Sequence, residues 1–130
     1  MVSDYVAAGR LMAKYPNRIM TLRYEELALN PNSTAYEVIK FLRLSVTPSI
    51  KEFLYTHTNV NVAGFDSTFR ISRDVPFKWK TSLYFDYVDE IQTACREAMS
   101  LWGYKLVYNA SQMTSKDFYP MEPYTISQRL

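Results

Sequence analysis

Three glycines, one cysteine and one histidine are all that this chain of 130 residues contains. A phosphate-cradling loop needs glycines clustered where the backbone turns tightly against the anion. With only Gly9, Gly64 and Gly103, neither Gly-x-x-x-x-Gly-Lys nor Gly-x-Gly-x-x-Gly can be written anywhere. The lone cysteine excludes a disulfide framework within the chain, and one histidine beside it excludes the usual structural zinc sets. No run of about 18 apolar residues is present to cross a bilayer, and Met1-Val2-Ser3-Asp4 lacks the basic flank and apolar block of a signal peptide. The chain therefore reads as soluble or as a piece of something longer. Charge of one sign is also scarce: 15 basic against 13 acidic residues leave a net +2, too mild to imply nucleic acid or a membrane surface, so any anion site is local. What is present, 48% hydrophobic and 22% charged residues, is globular composition for one domain.

Val6, Ala7, Leu11 and Met12 predict a helix from Asp4 to about Lys14, ended by Tyr15-Pro16-Asn17. Ile19 to Tyr24 is short, apolar and rich in strand formers, which predicts a buried strand. Thr34 and Glu37 have capping-box spacing ahead of a helix to about Arg43. Thr47-Pro48 starts another helix to about Tyr55, directing Ile50, Phe53 and Leu54 inward. No period survives from Thr56 to about Pro76, and a loop of that length in a compact domain points to function. Val88, Ile91, Cys95, Ala98 and Trp102 mark the apolar stripe of a helix from Ser82 to Trp102, capped by Gly103. Tyr104 to Tyr108 is a short closing strand or an extended segment. Residues 1–108 form the domain, and 109–130 a polar, proline-bearing and flexible tail.

The ordered set Tyr15-Pro16-Asn17-Arg18, Leu22-Arg23-Tyr24-Glu25-Glu26-Leu27, Pro31 and Phe41-Leu42-Arg43-Leu44 resembles the second half of a sulfotransferase domain. Ser67-Thr68-Phe69-Arg70, Trp79-Lys80-Thr81-Ser82-Leu83, Ile91, Cys95, Met99 and Leu101-Trp102-Gly103-Tyr104 continue it. Together they are similar to the Golgi carbohydrate 6-O-sulfotransferases acting on galactose, N-acetylglucosamine or N-acetylgalactosamine, over roughly residues 5 to 107. The resemblance implies the C-terminal part of a P-loop-like α/β sulfotransferase fold, mostly helical here with one or two strands. It implies transfer of a sulfuryl group from 3′-phosphoadenylyl sulfate (PAPS) to a sugar hydroxyl of a glycan acceptor, with no metal. It also implies a Golgi-lumenal, membrane-anchored parent protein. In that family a glycine-containing loop grips the phosphosulfate, and the glycine count here excludes it. The expectation is therefore a fragment, inactive alone, whose partner is the missing N-terminal half of the same domain, with Met1 internal to the parent.

By the same resemblance, Arg70 lies in a loop that helps to bind the nucleotide's 3′-phosphate, and its forked donors match phosphate oxygens. Ser72 and Arg73 add hydroxyl and charge; Lys80 is the fourth candidate for the cofactor. The bland readings stand beside these: a solvated basic loop for Arg70, a core anchor for Trp79, an exposed lysine for Lys80. Glu25 and Glu26 read as orienting Arg23 or capping the next turn, not as a general base. His57 reads as a helix-end residue. Cys95 is either a buried free thiol or the partner of a cysteine upstream. Asn32-Ser33-Thr34 and Asn109-Ala110-Ser111 are glycosylation sequons in predicted loops, so Asn32 and Asn109 are candidate glycan sites. The competing reading is a non-catalytic module that holds an anionic glycan or a protein with the basic and aromatic residues from Phe69 to Lys80. A nucleic-acid module finds no binding motif.

Overall fold

The computed structural model describes residues 1–64 and 67–126. Among these residues seven α-helices and one 3-10 turn succeed one another: α1 (Val2–Lys14), α2 (Tyr24–Leu29), α3 (Pro31–Phe41), α4 (Pro48–Asn59), the 3-10 turn Ser72–Asp74, α5 (Trp79–Ser82), α6 (Phe85–Leu101) and α7 (Ala110–Thr114). No β-strand forms among the described residues; pairing is limited to isolated antiparallel bridges, Asn59 with Ile71 and Tyr104 with Met121. The expected strand from Ile19 to Tyr24 is thus corrected. Residues 19–23 have no regular structure and α2 already begins at Tyr24. A strand is stable only where neighbours complete its ladder, and no described residue does so here.

The chain divides into two units, Met20–Lys78 and the remainder, Met1–Ile19 with Trp79–Leu130. In the discontinuous unit α1 packs on α6 and α5 on α7. Its core gathers Val88, Val107 and Met113, with Trp79, Phe85 and Phe118 against them. The α6 stripe differs from the expected one: Val88, Gln92 and Ala98 are buried, while Ile91 is 55% exposed and Cys95 is exposed. The buried amide of Gln92 explains the rotation, since its Nε2 donates to the Val107 carbonyl (2.7 Å) and its Oε1 accepts from the Val107 N–H (3.0 Å). It replaces the ladder partner that an extended segment without a neighbouring strand lacks. The helix starts at Phe85, not Ser82, and Gly103 leaves it at φ 70°, where glycine carries no steric penalty.

After Asn109, where a flexible tail was expected, the chain forms α7 and then returns. The N–H of Lys105 donates to Pro120 and the N–H of Glu122 to Gly103, at 2.9 Å each. Met113, Met121 and Ile126 are buried. The Tyr5 hydroxyl donates to the Thr125 carbonyl (2.7 Å), and the Trp102 ring meets those of Tyr5 and Tyr124.

In the unit Met20–Lys78, α2 packs on α3 and on the 3-10 turn, and α4 packs on both of those. Glu26 closes the entry to α2, accepting from the Arg23 N–H (3.1 Å) and from its guanidinium (2.7 and 3.1 Å). The acidic pair thus includes the carboxylate that orients Arg23. The Thr34–Glu37 capping box does not form, because α3 begins at Pro31 behind Asn30 and Thr34 is already inside it. Thr34 is buried and donates its hydroxyl to the Glu26 carbonyl (3.1 Å). Thr47 caps α4 by accepting from the Ile50 N–H (3.3 Å). That helix runs on to Asn59, and Phe53, expected inside, is exposed.

Candidate functional site

The aperiodic stretch after Tyr55 becomes a tied excursion. Its first residues extend α4, and its return is fastened to that helix. The His57 ring stacks between Phe53 (4.0 Å, 22°) and Phe69 (4.1 Å, 26°). The His57 carbonyl accepts from the Arg70 N–H, and Asn61 Oδ1 accepts from the Ile71 N–H (2.9 Å). His57 Nδ1 lies 3.0 Å from the Phe53 carbonyl, which fixes the ring in the last turn of the helix. Sequence reasoning treated His57 as a helix-end residue and missed this sandwich. The Phe53–His57 spacing of four was a legible signal; the arrival of Phe69 was not.

Arg70 is half-buried on the returning strap. Its Nη1 donates to the carbonyls of Phe69 (3.0 Å) and Val62 (3.4 Å), while Nε and Nη2 have no protein partner among the described residues. Three residues on, Arg73 is exposed in the 3-10 turn. Between them the Ser72 hydroxyl donates to the Ala28 carbonyl (2.7 Å), which anchors the turn to the end of α2. One short segment therefore carries Arg70, Ser72 and Arg73, with guanidinium donors unspent on the protein among the described residues and the serine proton committed to the fold.

Lys80 belongs to the other unit. Its Nζ donates to the carbonyls of Ser115 (2.8 Å) and Phe118 (2.7 Å) and lies 5.5 Å from the Phe118 ring centroid. Trp79 packs on the core beside Val88, the anchor role read for it. Asn32 sits on the first turn of α3 and not in a loop, because Pro31 starts the helix before it. Asn109 caps α7, its Oδ1 accepting from the Gln112 N–H (2.8 Å). Cys95 is an exposed thiol, not a buried one. Among the described residues no three His, Cys, Asp or Glu side chains group to hold a metal, and no helix is long and apolar enough to cross a membrane.

The chain is similar to carbohydrate sulfotransferase 3 of Tetronarce californica, 35% identical over 102 residues that make up 77% of this chain and 23% of that protein. Carbohydrate sulfotransferase 3 of Homo sapiens is 33% identical over 76% of the chain and 21% of its own length. Carbohydrate sulfotransferase 1 of Danio rerio is 32% identical over 74% and 24%. The chain thus spans about a quarter of the length of the relatives it matches. No solved structure matches it. Residues 3–103, which carry the Arg23–Glu26 closure, the Arg70 strap and all of α6, match the sulfotransferase domain, and the chain belongs to that family.

Proposed function

We propose that this chain is the C-terminal part of a carbohydrate sulfotransferase that moves a sulfuryl group from PAPS to a sugar hydroxyl, the 6-OH, of a glycan. The observation that carries the reading is the match over residues 3–103, together with relatives that are carbohydrate sulfotransferases. Bound PAPS supplies the activated sulfuryl group. The residues present fit one end of that donor: Arg70 keeps unpaired guanidinium donors on a fastened strap, and Arg73 adds a second cation, a set suited to the 3′-phosphate. Ser72 supports the nucleotide by position, because its proton already serves the Ala28 carbonyl, while the Lys80 ammonium spends two of its three donors on the carbonyls of Ser115 and Phe118. The phosphosulfate end requires a glycine-containing loop from an N-terminal half of the domain, which also supplies the catalytic base. Transfer of this kind depends mostly on positioning and on cations facing the charged oxygens, so a fixed arginine contributes orientation as well as charge.

On this reading the parent protein works in the Golgi lumen, anchored to its membrane by a segment outside this sequence. Lumenal residence makes Asn109 and Asn32 acceptors for N-glycans.

The test is a titration of 3′-phosphoadenosine 5′-phosphate into the wild-type chain and Arg70→Ala, each alone and with the N-terminal part of carbohydrate sulfotransferase 3 added. Binding is expected to be weak alone. With the added part it should fall roughly 10- to 100-fold in Arg70→Ala, the worth of a charge-assisted hydrogen bond. Equal affinity of the two proteins would remove Arg70 from the site.

A further inference from the structure

Beyond residue 103, where the sulfotransferase match ends, the chain builds a cleft of about 500 Å³. Tyr108, Phe118 and Tyr119 give it aromatic surface, and Lys105, Gln112 and Asp117 give it polar groups. Its walls are held from behind. Lys80 fixes the 115–118 turn through two carbonyls, and Phe118 packs on the core. The Tyr108 N–H donates to Gln112 Oε1 (2.9 Å), which orients that amide and leaves Nε2 as its remaining donor. The Lys105 ammonium, the Asp117 carboxylate, Gln112 Nε2 and the Tyr108 hydroxyl have no protein partner among the described residues. Tyr108 is 73% exposed and Tyr119 is 50% exposed.

This combination narrows the ligand. The charges of Lys105 and Asp117 cancel, so the cleft does not select an anion, and a single carboxylate does not hold a metal. Flat aromatic faces beside a carboxylate, an amide donor and an ammonium suit a molecule with an apolar face and neighbouring hydroxyls on its edge. A pyranose ring has that shape: its axial C–H groups lie on a tyrosine face, and two adjacent hydroxyls donate to the two carboxylate oxygens. We propose that this cleft binds a neutral hexose or N-acetylhexosamine unit of a glycan, as a sugar subsite separate from the Arg70 strap. The inference rests on the carbohydrate reading above for its choice of sugar, and on the cleft alone for its chemistry.

The test titrates an N-acetyllactosamine tetrasaccharide into the full chain and follows backbone amide resonances. A heparin tetrasaccharide serves as the anionic comparison. Shifts are expected from the neutral sugar at residues 105–119, centred on Tyr108 and Gln112. Tyr108→Ala and Asp117→Asn should each weaken binding at least about tenfold, the loss of a desolvated stack or of a charged hydrogen bond. Tyr108→Phe, which keeps the ring, should retain most of the affinity, and Arg70→Ala should change nothing. Tyr108 is exposed, so its replacement leaves the core intact, and an unchanged melting curve verifies this. No shift at 105–119 overturns the subsite, as does unchanged affinity in both weakening variants. Tighter binding of the heparin tetrasaccharide, indifferent to Asp117→Asn, also overturns it. Sugar shifts without nucleotide binding would leave the cleft standing while the transferase reading fails; nucleotide binding without sugar shifts would remove the cleft alone.

Discussion

The two units of this chain are held together by different forces. The unit of Met1–Ile19 with Trp79–Leu130 buries Tyr5, Val88, Ala98, Val107, Met113, Met121 and Ile126. Among the described residues of Met20–Lys78 only Arg23, Ala28, Thr34 and Pro76 are buried, none of them a large apolar side chain. The first unit is organised by apolar burial, the dominant favourable contribution in folding. The second is organised by short-range polar ties: Glu26 to Arg23, Thr34 to Glu26, Ser72 to Ala28. Such ties specify geometry but contribute only about 1 kcal/mol when neutral and up to about 3 kcal/mol when charged, so the unit that carries Arg70 is expected to open more readily.

Three substitutions break or sharpen that contrast, read by urea denaturation together with amide exchange in each unit. Gln92→Ala should be the most damaging, by about 3 kcal/mol, because it strands both main-chain groups of Val107 in the core. Protection should fall across the unit built on α6. Ser72→Ala should cost about 1 kcal/mol and loosen exchange at 70–75 while leaving Val107 and Met113 unaffected. Leu42→Ser should cost less than about 0.5 kcal/mol, since that side chain is already in water. A loss of several kcal/mol from Leu42→Ser would show that Met20–Lys78 has an apolar core after all, and the contrast would collapse.

Local signals written in consecutive residues were legible. Thr47-Pro48 starts a helix, Gly103 ends one, and Glu26 follows Arg23 at capping distance; each is settled within one turn of backbone. The sulfotransferase motifs were legible because they are ordered along the chain. The Thr34–Glu37 box fails for a local reason, because Pro31 starts α3 before it; the larger misreadings share another cause, the choice of partner at a distance. Ile19 to Tyr24 looks like a strand but has no ladder to join among the described residues. Gln92 is polar and nothing beside it in the sequence marks it for burial, yet Val107, fifteen residues later, draws it inside. The segment after Asn109 looked like a tail because its anchors, Met113, Met121 and Ile126, are spaced too widely for either period. At the candidate site, Arg70 and Arg73 were visible as cations in a loop. The commitment of the Ser72 and Lys80 protons to carbonyls 44 and 35 positions away was not.

The bond from Tyr5 to Thr125 joins residues 120 positions apart. During synthesis the hydroxyl of α1 must therefore wait for a segment far later in the chain before it is paired, whereas the ties around α2 close within a few dozen residues. A nascent chain arrested ahead of Thr125 leaves α1 without this tie, a state that chaperones would hold and proteases would cut.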